Sequence, residues 1–260
     1  AVNVEDGYYV FTTEQSQTSF SVTGYPVDVD TEIELNPLML NLISYLPTEV
    51  RDVSDAFSEI PVVMVSDDQG HYYIPSLDMN TIDINGGMLP GEAYRVFIDG
   101  DESISFIYGA EFSAREEYDY EEYAKTITEH YRDAFAPSGL SYPIIIDNIS
   151  NYTVNEGDEI VAYCNEQVVG ATRISDNPFP LLVSAWESYE NYSISLDGFT
   201  DECLIDLRLY DSVKSEELEL NINLSNVMYG AGIMSNGSAE LSYMIPDEFG
   251  MSNGYPNPFN

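Results

Sequence analysis

The sequence predicts an all-β protein, two β-sandwich modules joined by a short helical or irregular linker. Three observations predict it. Short runs rich in Val, Ile, Tyr, Phe and Thr recur along the chain, and these side chains suit a pleated, half-buried surface. Turn dipeptides punctuate the runs, and beyond residue 137 they return about every ten residues, as in sandwiches and barrels. Between two strand-rich stretches the composition changes abruptly. We therefore divide the chain into a β module at 1–110, a linker at 111–137, a second β module at 138–246 and a tail at 247–260.

In the first module, residues 1–24 alternate weakly around Tyr8, Val10, Phe20 and Val22 and read as one or two strands. Leu38 to Leu46 is a near-continuous apolar run closed by Pro47, which predicts a strand buried on both sides or lying at the sandwich centre. Asp52 to Ile60 suits a short helix starting near Ser54 or Asp55. Val62–Val65 and His71–Pro75 flank Asp67-Asp68-Gln69-Gly70 and predict a hairpin. Ala93–Ile98 and Ser103–Tyr108 flank Asp99-Gly100, a pair suited to a tight hairpin turn.

In the linker, Ser113 and Glu116 can form a capping box. Tyr120, Tyr123, Ile127 and Tyr131 follow at helical spacing. This predicts a helix from Ser113 to somewhere between Ala124 and Tyr131; Thr128–Phe135 could instead open the next module as a strand. The tyrosine stripe suits either a sugar platform or packing against a neighbour. In the second module, strands are expected at Leu140–Ile146, Glu159–Cys164, Gln167–Thr172, Leu181–Trp186, Glu202–Tyr210, Leu218–Leu224 and Ala239–Tyr243, with a hairpin around Asn165-Glu166.

The charge narrows the function. The 260 residues carry 8 basic and 46 acidic side chains, a formal charge of −38. That balance excludes nucleic acid, whose phosphates need Lys and Arg, and argues against anionic membranes. It fits a protein kept soluble and monomeric in salty surroundings. No apolar run approaches the ~18 residues of a membrane span, so no membrane insertion is expected. The start, Ala1-Val2-Asn3-Val4, reads as a mature chain after signal removal. Cys164 and Cys203 could form one bridge or remain two buried thiols.

The tail carries a resemblance. Tyr255-Pro256-Asn257-Pro258-Phe259-Asn260 resembles the opening of the C-terminal sorting domain on cargo of the Bacteroidetes-type (type IX) secretion system. Met251-Ser252-Asn253-Gly254 stands where that family has a different lead-in. The resemblance implies an extracellular or outer-surface location, with the secretion machinery as partner of the tail. Both modules resemble recurring β modules of such cargo. In the first, Leu40 to Pro47, Val65 to Pro75 and Met88 to Tyr94 match, with Leu40 in place of Trp and Ala93 in place of Gly. In the second, Tyr142 to Ile146, Gly157 to Ile160, Val169 to Ala171, Trp186, Asp197 to Phe199 and Leu207 to Asp211 sit in register. Val168 stands where a cysteine is usual, so no disulfide habit carries over.

Little catalytic chemistry is legible. His71 and His130 lie in different modules, outside any zinc-binding spacing. There is no Gly-x-Ser-x-Gly elbow or phosphate-binding glycine loop. Calcium is the one ligand with a physical case, through hard oxygens in turns. The candidate ligands are Asp99, Asp101, Asp158 and Glu159, although Asp99-Gly100-Asp101 also suits a turn and Asp158 its own turn backbone. Trp186 suits a sugar platform or a core, and Asp211-Ser212-Val213 matches a short O-glycosylation context. The expectation is a non-catalytic, secreted structural or adhesive surface protein, possible as a filament or layer subunit through self-association. The alternative is a carbohydrate-binding accessory module of a larger secreted enzyme, holding a surface polysaccharide.

Overall fold

A computed structural model of the chain describes residues 6–10, 19, 27–109, 128–176, 178–191 and 193–242. Most of the strand region expected before residue 24, the helix expected from Ser113, and the tail with Tyr255 to Asn260 lie outside the described residues. What is described is all-β, with only short helical turns.

The N-terminal group runs β1 (Ile33–Leu35), β2 (Leu40–Ser44), α1 (Val53–Ala56), β3 (Val62–Ser66), β4 (Tyr72–Ile74), β5 (Met79–Asn80), α2 (Thr81–Ile84), β6 (Ala93–Ile98) and β7 (Ile104–Phe106). Five strands form a sheet in the order β2-β6-β3-β4-β5, and β1 pairs with β7. The hairpin expected around Gly70 forms as β3 and β4. The hairpin expected around Gly100 does not: β6 has β2 on one side and β3 on the other, so β7 turns away to β1. The apolar run at Leu38 also differs from expectation. β2 is an edge strand with alternating burial, and Leu38, Met39 and Leu40 are exposed. Its buried Asn41 is consumed by the backbone, accepting from Asn36 N and donating to Asn36, Met39 and Val96 carbonyls.

Alternation gives the five-stranded sheet two faces. Val65, Tyr94, Val96 and Ile98 point into a core completed by β1, β7 and α1, where Phe57 stacks on Phe106 at 4.8 Å. The expected helix at Asp52–Ile60 shortens to α1, and its capping acceptor comes from a distance. Asp83 on α2 accepts from Val53 N at 2.6 Å and Ser54 Oγ at 2.9 Å.

The C-terminal group runs β8 (Ser141–Ser150), β9 (Glu159–Cys164), β10 (Gln167–Arg173), β11 (Leu181–Trp186), β12 (Tyr189–Asn191), β13 (Ile194–Leu196), β14 (Asp206–Asp211), β15 (Glu216–Leu224) and β16 (Ser235–Leu241). Seven strands are joined in the order β10-β9-β14-β15-β16-β8-β11, and β12 pairs with β13. The chain switches partners along β15: Glu216–Glu219 pairs with β14, and Leu220–Leu224 pairs with β16. The β9–β10 hairpin turns on Asn165 and Glu166, both at positive φ, as a two-residue type I′ loop requires. β16 enters parallel to β8. Its ladder starts at Ile144, so Pro143, which has no N–H, lies outside it.

The inner faces of these strands share one core, including Ile144, Ile160, Leu207 and Leu209, with Phe199 stacked on Tyr229 at 4.7 Å. The outer face of β8 and β11 meets the N-terminal sheet. There Ile145 and Leu182 pack with Met64, Tyr72, Ile74, Met79 and Phe97. Two polar contacts edge this junction. The Tyr72 hydroxyl donates to Ser141 O at 2.9 Å, and the Ser184 hydroxyl to Gly70 O at 2.6 Å. Burial pushes the Tyr72 phenol up to about 12, so it stays a donor at any physiological pH.

Candidate functional site

The calcium candidates divide into two unlike pairs. Asp99 and Asp101 are exposed, and Asp99 accepts from its neighbour Gly100 N at 2.9 Å. Asp158 and Glu159 are buried and already serve as internal acceptors. Asp158 takes Asn155 N at 2.8 Å with one oxygen, and Ser212 N and Oγ at 2.9 Å with the other. Glu159 takes the backbone N–H groups of Glu129, His130 and Tyr131 at 2.5, 2.9 and 3.3 Å. Adjacent in sequence, the two carboxylates serve different segments. Among the described residues, no group of three or more His, Cys, Asp or Glu side chains is placed to hold a metal ion.

Glu159 fixes the segment at residues 129–131. Residues 128–136 form turns and bends, not the strand expected as the second possibility for Thr128–Phe135. They lie across the outer face of β9 and β10, where Tyr131 and Phe135 pack with Val161, Tyr163 and Ala171. Tyr131 therefore packs, as one reading of its stripe expects. It shares Glu217 with Tyr163: both hydroxyls donate to Oε2, at 2.5 and 2.6 Å. Arg208 lies over the Tyr163 ring at 4.1 Å and pairs with Glu217, Asp206 and Glu166. Burial opposes the charged Glu217 carboxylate, but the Tyr131, Tyr163 and Arg208 donors outweigh it and leave its pKa below the usual range. His130 stacks on Tyr210 at 3.8 Å.

The other singled-out residues are placed as follows. Cys164 and Cys203 are joined by a disulfide, with Cα atoms 5.8 Å apart. Trp186 is buried, and a Cβ at Gly70 would lie 3.0 Å from its ring. Ser212, in the O-glycosylation context, spends its hydroxyl on Asp158.

Asp211, adjacent to Ser212, is 2% exposed. It accepts from Val213 N, Lys214 N and the Tyr152 hydroxyl, and pairs with the Lys214 ammonium at 3.0 Å. The Lys214 backbone N–H, followed by the Lys214 ammonium and Tyr152 hydroxyl, holds its carboxyl down at about 2 against the effect of burial. A carboxyl depressed on folding stabilises fully above its unfolded value of ~3.9, and that contribution vanishes as pH falls through the folded value. Asp211→Asn is expected to lower stability near neutral pH by roughly 2 kcal/mol, as for hydrogen bonds to a charged group. Urea midpoints of parent and variant should converge between about pH 4 and pH 2. A gap that stays constant across that window would refute the assignment.

A cleft of about 640 Å3 opens on the N-terminal group. One side is the β2–β6 end of the N-terminal sheet with the turn before β4; the other includes residues 8–10 and 137–139. Segment 6–10 reaches it by bonding to the edge of β2: Gly7 N donates to Leu42 O at 3.1 Å. Asp67 organises the turn, accepting from Gln69 N and His71 N and contacting His71 Nδ1 at 2.6 Å. Arg95, one place from Tyr94 on β6, projects from the opposite face of the sheet and lines the cleft while only 7% exposed. Burial, then Asp68 and Asp67, pushes the Glu92 carboxyl up. Sequence reasoning missed this arrangement. Its one signal is an arginine inside an otherwise apolar strand run, in a chain with few cations.

No known protein family, curated protein or solved structure matches the chain.

Proposed function

We propose that this chain is a non-catalytic, secreted surface protein with a structural or adhesive role, reaching the cell exterior by the route its tail resembles. The observation that carries the reading is how the charge is spent. Arg51, Arg95, Arg173, Arg208 and Lys214 all bond to the protein itself, to carbonyl oxygens or carboxylates. The remaining exposed charge is overwhelmingly acidic, which suits a solvated outer surface and repels nucleic acid. The Cys164–Cys203 bond supports an oxidising compartment. The apolar junction between the two groups of strands supports a stiff unit. Calcium bridging between copies belongs to the same reading, through exposed carboxylates such as Asp99 and Asp101.

The test is negative-stain electron microscopy of the natively secreted protein, with calcium and with chelator. Regular filaments or sheets are expected, and their loss on chelation would place calcium at subunit contacts. Dispersed particles in both conditions would remove the polymer role and leave adhesion, which glycan arrays would then address. The accessory-module alternative has less support, because Trp186 and Tyr131, two of its candidate stacking residues, are buried.

A further inference from the structure

We propose that the cleft over Arg95 binds a zwitterion, a ligand whose carboxylate meets the Arg95 guanidinium and whose ammonium meets the acidic rim at Glu92 and Asp68. Arg95 carries the argument. A guanidinium offers five N–H donors, and a buried one is expected to be paired. Arg95 is 7% exposed, yet its one hydrogen bond runs from Nη2 to Asp67 O at 2.6 Å, and it makes no salt bridge among the described residues. The contrast with Arg208, which engages three carboxylates, is sharp in a chain with 46 acidic side chains. Such a buried, under-used fork facing a cavity fits a carboxylate from outside the protein.

The rim says which carboxylate. Asp67, Asp68 and Glu92 line the same cleft, and while the Glu92 backbone bonds to Tyr45 and Leu89, its carboxylate makes no hydrogen bond or ion pair among the described residues. A simple anion would meet this negative rim, whereas a ligand with its own ammonium would be drawn to it. The raised Glu92 carboxyl fits this, since an adjacent cation would relieve it. Exposed Tyr8 and Tyr9 add aromatic wall. The volume of about 640 Å3 lies within the ~300–1,000 Å3 range of small-molecule sites, and its place between two packed units is a common one. A free amino acid and the paired ends of a short peptide share this chemistry.

The test is calorimetric titration of the intact protein with each of the twenty free amino acids and with a mixed-sequence tripeptide pool. Each binder is then compared with its N-acetyl and C-amide forms. Saturable binding is expected from at least one zwitterion, weakened at least ten-fold by either blocking group and abolished by Arg95→Met. Tripeptides binding tighter than free amino acids would identify a peptide ligand; the reverse order would identify a free amino acid. Should Arg95→Met misfold, Glu92→Gln together with Asp68→Asn, both at exposed positions, is expected to weaken binding ten-fold with an unchanged urea midpoint. Absence of saturable heat at millimolar concentration from every probe would overturn the proposal. So would equal affinity for the blocked forms, or binding of glucuronate in place of every amino acid and peptide.

Discussion

Replacing Gly170 with alanine is expected to destabilise the protein by about 3 kcal/mol or more, at the upper end of what overpacking costs. Gly170 is buried on β10, just after a register shift in its pairing with β9. A Cβ there would lie 2.2 Å from Ser184 O, 2.9 Å from Ser184 C and 3.0 Å from Ala185 Cα. All three are backbone atoms of β11, so no rotamer change can relieve the clash. β10 and β11 are the two end strands of the seven-strand order, and this is where their backbones draw together. Parting them would also disturb Ser184, whose hydroxyl reaches across to Gly70. The effect should therefore spread to the junction between the two groups of strands. The check is a urea titration of Gly170→Ala against Gly91→Ala. Gly91 has positive φ, but nothing lies within 4 Å of its Cβ position, so only backbone strain of about 1 kcal/mol is expected there. Equal midpoints for the two variants would contradict the close approach of β10 to β11.

The strands best read from sequence are those whose information is local. Glu159–Cys164 and Leu181–Trp186 appear at the expected residues, and β3, β4 and β10 lie within one or two residues of expectation. Each is a short β-branched or aromatic run bounded by turn residues, which period and propensity register directly. Partner choice is not local. Asp99-Gly100 predicts a hairpin because Asp-Gly suits a tight turn between two strand-like runs, yet the flanking strands pair elsewhere once β6 has two neighbours. The parallel approach of β16 to β8 joins segments about ninety residues apart and leaves no pattern in either. The candidate site was less legible still. Asp158 is recognisable as a turn carboxylate and accepts from Asn155 N in its own turn, but its bonds to Ser212 and those of Glu159 to residues 129–131 join segments distant in sequence. Arg95 became informative only when its burial and its single hydrogen bond were known.

Reduction of the Cys164–Cys203 bond is expected to lower stability by about 4 kcal/mol, the chain-entropy value for a loop of this length. The residues are 39 apart, and the loop encloses β10, β11 and the β12–β13 pair, including both backbones that meet at Gly170. Both sulfurs lie in the same core as Val169, Val183 and Tyr229. Cys203 is also held by its backbone: its N–H donates to Thr200 O, and its carbonyl accepts from Tyr229 N. The native position of Cys203 thus has support apart from the bond. The main effect of reduction should accordingly be to free the unfolded chain, leaving the native fold in place. Two measurements separate these contributions. Urea unfolding with and without a phosphine reductant gives the loss, and near-ultraviolet dichroism of the reduced protein without urea should match that of the oxidised form. The Cys164→Ala, Cys203→Ala double variant should lose more than reduction alone, because removal of buried sulfur adds a packing deficit. If reduction shifted the midpoint by less than the equivalent of about 1 kcal/mol, the loop would already be restrained in the unfolded chain. The bond would then contribute little beyond what the Thr200 and Tyr229 hydrogen bonds supply.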